Sequence, residues 1–177
     1  MGKSTLFNRL TQSRHAIVDE ISGVTRDRIY GKVDWNGKVF SLIDTGGYIS
    51  GSEDIFEDEI RKQVTIAIEE ADIIVFMVDV TTGVTGLDED VTKILRRSTK
   101  NTILVANKVD NSERVTHASE FFALGMGEPY TVSAISGKGT GEVLDKITSW
   151  IKDDHTEEED KDLPRFAVVG KPNVGKS

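Results

Sequence analysis

The chain contains no cysteine. That excludes a disulfide framework, a thiolate metal site and a cysteine nucleophile. No apolar run approaches the ~20 residues of a membrane span. The opening Met1-Gly2-Lys3-Ser4-Thr5 also lacks the apolar stretch of a secretory signal. The expectation is a cytoplasmic protein with no membrane partner. Basic charge is in deficit as well: 22 Lys and Arg stand against 30 Asp and Glu, a net −8. A free-standing nucleic-acid binder needs a basic face, so that class is disfavoured. What the chain does have is 177 residues, 37% of them hydrophobic. That is the size of one domain and enough to bury a core without help.

The acid is concentrated in one place. Residues 153–162 hold seven Asp or Glu and one Lys, which is −6 of the −8. With no apolar periodicity and a closing Leu163-Pro164, this stretch reads as a solvated linker over 152–164.

Around it, strand-like and helix-like pieces alternate. Residues 29–35 and 38–43 are strand-like across Asn36-Gly37, a hairpin signal. Residues 73–80, 102–106 and 165–169 are apolar almost throughout, as strands covered on both faces are. A short strand is read at 130–133. Apolar residues recur at helical spacing over 53–70, 87–97 and 141–151, with shorter helices at 4–11 and 118–124. This pattern predicts an α/β fold with a doubly wound, mostly parallel sheet, one antiparallel edge and helices on both faces. A helix opening on Gly-Lys-Ser-Thr calls for a preceding strand and loop. Those come last in this chain, in a circularly permuted order.

The last eight residues, Gly170, Lys171, Pro172, Asn173, Val174, Gly175, Lys176 and Ser177, fit the phosphate-loop pattern G-x-x-x-x-G-K-[ST] directly after a buried strand. Glycines let successive N–H groups turn toward a β-phosphate. The Lys neutralises the phosphates, and the Ser hydroxyl ligates Mg²⁺. Asp44-Thr45-Gly46-Gly47 leaves a strand end, where a carboxylate can hold Mg²⁺ through water and the Gly47 N–H can approach a γ-phosphate. Asn107-Lys108-Val109-Asp110 ends another strand. A carboxylate there matches the N1–H and N2–H₂ donors of guanine, which adenine lacks. In this reading Asn107 ties base and loop together, and the Lys108 stem covers the ring. Ser133-Ala134-Ile135 offers a backbone N–H to guanine O6. A Thr25 hydroxyl in the polar segment after the first helix can complete an Mg²⁺ shell once a γ-phosphate is present.

Together these motifs resemble the TRAFAC GTPases, and among them the Der (EngA) family, the bacterial tandem-domain GTPases of ribosome assembly. The likeness runs through STLFNRLTQSRHAIVDEISGVTRDRIYG, DTGGY, NKVD and SAISGKGTGEVLD in order and covers essentially the whole chain. It implies a Ras-like P-loop NTPase domain that binds GTP or GDP with Mg²⁺. Phosphates fall to Gly170 through Ser177, and guanine to Asn107, Lys108, Val109, Asp110, Ser133, Ala134 and Ile135. Switch and metal roles fall to Thr25, Asp44, Thr45, Gly46, Gly47 and Tyr48. It also implies a K⁺ ion held by Asn173. Tyr48 stands where Ras-type relatives carry a water-orienting Gln, and a phenol cannot orient water as an amide does. The parent of such a domain binds the large ribosomal subunit.

One departure is the order of the parts. The strand and phosphate loop here follow the acidic linker, and the tripeptide Gly-Lys-Ser occurs twice, at 2–4 and 175–177. The chain resembles a deliberately cut piece of a tandem protein, running from one phosphate loop into the next. The expected organisation is a body over 1–151, the linker over 152–164, and a central strand and loop over 165–177 that complete the same domain. Thirteen linker residues reach about 40 Å, so closure within one chain is favoured over a strand-swapped dimer.

The expected activity is slow, K⁺-stimulated GTP hydrolysis, with Lys176, Thr25 and Gly47 at the reacting phosphate and Ser177, Thr25, Asp44 and Asn173 as metal ligands. The alternative is a non-catalytic guanine-nucleotide module whose cut loop holds GDP weakly. Of the two Gly-Lys-Ser copies, the C-terminal one is expected to complete the loop. Met1 to Ser4 would then be displaced and the first helix would begin near Thr5. Lys3, Ser4 and Thr5 are the rival phosphate set.

Overall fold

A computed structural model describes residues 2–11, 29–45, 56–151 and 164–170. In chain order the elements are α1 (Lys3–Thr11), β1 (Ile29–Trp35), β2 (Lys38–Asp44), α2 (Phe56–Glu70), β3 (Ile73–Asp79), α3 (Gly86–Arg97), β4 (Asn101–Asn107), α4 (Ser112–Ala118), β5 (Tyr130–Thr131), α5 (Thr140–Trp150) and β6 (Arg165–Val169). A 3-10 segment, Ser119–Leu124, continues α4.

The six strands form one sheet in the order β1-β2-β6-β3-β4-β5. The last strand in sequence is therefore central. β6 pairs in parallel with β2 on one side (Asp44 opposite Val168) and with β3 on the other (Phe76 opposite Val169). Its entry is fixed at both edges. Ser41 donates to the Pro164 carbonyl at 2.9 Å, Asp72 to the Arg165 carbonyl at 2.8 Å, and the Arg165 N–H to the Asp72 carboxylate at 2.9 Å. Among the described strands only β1 runs antiparallel, joined to β2 by Asn36-Gly37. Both turn residues have positive φ, 53° and 74°, as the tightest hairpin turn requires, and Asn and Gly tolerate that conformation best.

β6 shows why the sheet needs it. Phe166 and Val168 face the layer made by Leu6, Phe7 and Leu10 of α1 and Val143, Leu144 and Ile147 of α5. Ala167 and Val169 face the layer of Ile60, Val64 and Ala67 from α2 with Val91 and Leu95 from α3. Adjacent side chains of one strand thus complete two cores, the period-2 consequence of a strand buried on both faces. Phe40 and Phe166 meet edge to face, with ring centroids 4.6 Å apart.

Three sequence expectations need correction. The first helix begins at Lys3 rather than near Thr5, and Lys3 is buried instead of displaced. The region read as a single helix over 118–124 is a longer unit, α4 plus the 3-10 segment. Its first half, SERVTHA, has no apolar stripe. It is started by the Asn111 side chain, which accepts from the Arg114 N–H at 2.9 Å. The strand read over 130–133 stops at Thr131, because Ser133 turns away to form an isolated bridge with Lys138.

Candidate nucleotide site at the carboxyl edge of the sheet

Five strands run parallel, so Asp44, Val169, Asp79, Asn107 and Thr131 end them on one edge. In an open α/β sheet that edge is where ligands bind. The described candidates Lys3, Asp44, Thr45, Asn107, Lys108, Val109, Asp110, Ser133, Ala134, Ile135 and Gly170 all come to it. Thr25, Gly46, Gly47, Tyr48 and 171–177, which include Asn173, Lys176 and Ser177, lie outside the described residues.

At the start of α1, the Lys3 ammonium donates to the carbonyl of Gly170, the residue after β6, at 2.7 Å. The Gly2 carbonyl accepts from Leu6 N–H at 2.9 Å, so Gly2 opens the helix. Gly2 has φ +88°, and a Cβ there would lie 2.9 Å from the Asn107 side-chain nitrogen. Only glycine fits both the conformation and that approach. Gly2-Lys3 therefore packs against Asn107 at the end of β4 on one side and the end of β6 on the other. Ser4 and Thr5 are exposed.

Burial of Lys3 lowers its ammonium pKa to about 8, against the opposing pull of the Asp44 carboxylate. Asp44 is buried, 2% exposed, and Thr45 Oγ1 donates to the Val168 carbonyl. A buried carboxylate beside a lysine charge offers the hard oxygen donor that Mg²⁺ takes, so the described residues fit that ion. The Lys3 shift has a consequence for stability. Between pH 8 and 10.5 the unfolded chain still holds the Lys3 proton while the folded, nucleotide-free chain has released it. The lysine's contribution to stability therefore rises with pH across that window. Lys3→Met is expected to remove that rise, measured as the pH dependence of urea unfolding from 7.5 to 10.5. An identical slope in parent and variant would refute the burial argument.

The Asn107-Lys108-Val109-Asp110 turn is fixed from several directions. Asn107 is 2% exposed, and its Oδ1 accepts from the Ala134 N–H at 2.9 Å. Lys108 has φ +69°, a left-handed conformation that turns the chain sharply. Its neighbours hold that turn: Val109 N–H donates to Val132 O and Asp110 N–H to Lys108 O, both at 3.0 Å. The two Asp110 carboxylate oxygens each already accept one bond, from Ser133 Oγ and from Arg114 Nη1, both at 2.6 Å. Arg114 also donates to the Lys108 carbonyl at 3.1 Å. Arg9 of α1 donates to the Ala134 carbonyl at 3.3 Å and to that of Ile135. Ile135 itself is 74% exposed.

Arg9, Arg114 and Asp79 belong to this site, and no motif includes them. Asp79 was legible in one respect. It is the one charge in an apolar run covered on both faces, and such a charge requires a partner. Its partner is Lys108, whose ammonium lies 2.7 Å from Asp79 Oδ2.

With this geometry in view, residues 1–108 match the family of 50S ribosome-binding GTPases. The chain belongs to that family. It is 62% identical to GTPase Der of Flavobacterium psychrophilum, a match that covers all of this chain and 41% of that protein. It is 58% identical to GTPase Der of Porphyromonas gingivalis, with the same coverage. The chain thus spans about two fifths of the length of these curated relatives. Among solved structures, Era in complex with MgGDPNP and a fragment of 16S ribosomal RNA superposes with a TM-score of 0.67. That likeness covers 92% of this chain and 57% of Era at 24% identity, a likeness of fold. The family's fold is the P-loop α/β domain read from the motifs. No helix of the described residues is long and apolar enough to cross a membrane.

Proposed function

We propose that this chain binds GTP and GDP at the carboxyl edge of its sheet and hydrolyses GTP slowly to GDP and phosphate. The observation that carries the reading is the meeting, at one edge, of a buried lysine at a helix start with a fixed Asn-Lys-Val-Asp turn. The first is an anion site and the second a guanine site.

In this reading Lys3, rather than Lys176, faces the β- and γ-phosphates, and the first N–H groups of α1 point at the same anion. Asp110 accepts the guanine N1–H and N2–H₂. The Ala134 N–H is committed to Asn107, so a contact to O6 falls to the next amide, that of Ile135. Bound Mg²⁺ would supply charge neutralisation at the phosphates. Asp44 would hold it through water, with Ser4 as hydroxyl ligand alongside Lys3, and Ser177 and Thr25 as the further candidates. Gly47 N–H would approach the γ-phosphate. Tyr48 is no substitute for a water-orienting amide, so chemistry leans on cations, including a K⁺ ion with Asn173 as its ligand.

Two measurements test this. GDP is expected to bind and ADP not to, and failure to bind GDP refutes the site. For a GDP-binding sample, GTP turnover read by chromatography is expected to run faster in KCl than in NaCl. Equal rates remove K⁺ from the mechanism, and no turnover in either salt leaves a non-catalytic guanine-nucleotide module. A cytoplasmic location and binding of the parent protein to the large ribosomal subunit are proposed on the same family grounds. A domain of net −8 is poorly suited to hold RNA on its own.

A further inference from the structure

We propose that Asp79, on the neighbouring strand β3, is a positioning residue for the guanine base, acting through the Lys108 side chain. The inference rests on the reading of Asn107, Lys108 and Asp110 as the base site and adds to it a residue outside the motif.

Asp79 is 7% exposed, and its carboxylate has a fixed orientation. Oδ1 accepts from the Thr81 N–H at 3.0 Å and from Thr81 Oγ1 at 2.6 Å. That leaves Oδ2 directed at the Lys108 ammonium, 2.7 Å away. The strand carrying Asp79 is tied to the motif itself. Asp79 stands opposite Asn107 in the β3–β4 register, and Val80 N–H donates to the Asn107 carbonyl at 3.2 Å. Burial pushes the Asp79 carboxyl up, but the bonds from Lys108 and Thr81 outweigh it and hold the group below its ordinary value. It therefore stays ionised at neutral pH.

The Lys108 stem then runs between two fixed points. At one end is a backbone locked in the left-handed region, and at the other an ammonium clamped to a buried carboxylate. A free lysine side chain loses up to about 2 kcal/mol of rotamer entropy when ordered. Here much of that loss precedes ligand binding, so the base meets a stem already in position. The clamp also matches the lysine charge. Lys108 thus offers the ligand its methylenes rather than a second cation for the phosphates. A bare structural salt bridge would stabilise the fold without this effect on nucleotide binding.

The test is a double-mutant cycle read by GDP affinity. Asp79→Asn keeps the shape and the Thr81 bonds but presents an amide N–H₂ to the ammonium. It is expected to weaken GDP binding about tenfold, with the KM for GTP rising by the same factor and kcat unchanged. In a Lys108→Met background the same change is expected to cost less than about twofold, because the group it acts through is gone. Unchanged GDP affinity in Asp79→Asn overturns the proposal, as does an equal loss in both backgrounds. If Asp79→Asn fails to fold, Thr81→Val, which only loosens the carboxylate, is expected to lose about threefold; parent-like GDP binding there overturns the proposal too. A parent that does not bind GDP refutes the base-site reading itself, a result distinct from either outcome.

Discussion

Lys3→Ala is expected to abolish measurable GDP binding, whereas Lys176→Ala leaves it within about threefold of the parent. The two lysines stand in identical Gly-Lys-Ser tripeptides, and the local loop pattern of the sequence favours the C-terminal one. The surroundings of Lys3 support the other. Lys3 is 7% exposed and donates to the Gly170 carbonyl at the end of β6. The Gly2 before it fits the contact with Asn107 only because it lacks a side chain. Removing one member of a buried charge pair costs about 3–5 kcal/mol, which is about two to four powers of ten in affinity.

The effect on stability should differ in sign from the effect on binding. A buried ammonium whose pKa has fallen to about 8 is a burden on the nucleotide-free fold, so Lys3→Ala should leave the free protein no less stable at pH 7. Isothermal titration with GDP, paired with thermal melts of the nucleotide-free samples, separates the two quantities. Loss of GDP binding in Lys176→Ala alone would move the phosphate site to the C-terminal copy.

The start of α1 at Lys3 indicates which parts of the protein are legible in its sequence. β6 could be read because RFAVV sits between two cores and every residue after the first is apolar and buried. The hairpin could be read because Asn36-Gly37 is a local requirement of the turn. α4 could not, since SERVTHA buries only Ala118 and its start depends on one side-chain cap. The helix start at Lys3 is illegible for a related reason. The glycine spacing of residues 170–175 is a local sequence signal, but the bond that recruits Lys3 spans 167 positions in sequence. Asn107-Lys108-Val109-Asp110 is legible as a string, while the residues that hold it are not. Arg9 and Arg114 are surface arginines like any others until the fold brings them to the carbonyls of Ala134 and Lys108.

Asp110→Asn is expected to weaken GDP binding about a hundredfold and to raise affinity for xanthosine diphosphate above that for GDP. The guanine N1–H and N2–H₂ both donate, so each needs an acceptor. An amide supplies only one, and its N–H₂ then opposes a donor. Hydrogen bonds to a charged group are worth about 1.5–3 kcal/mol each. The Asp110 side chain is 47% exposed, so water compensates part of the loss. That argues for about two powers of ten rather than the four or five seen when a fully buried group is left unpaired.

The surroundings also fix which way the new amide turns. Arg114 Nη1 can only donate, so the amide oxygen takes its place at 2.6 Å. The amide nitrogen then faces Ser133 Oγ, which can accept as well as donate. Its second N–H is left for the ligand and meets the 2-carbonyl of xanthine, where guanine has an amino group. Competition titrations with GDP, XDP and IDP check the outcome. IDP, lacking the 2-amino group, should fall between the two. GDP affinity equal to that of the parent would show that Asp110 does not read the base.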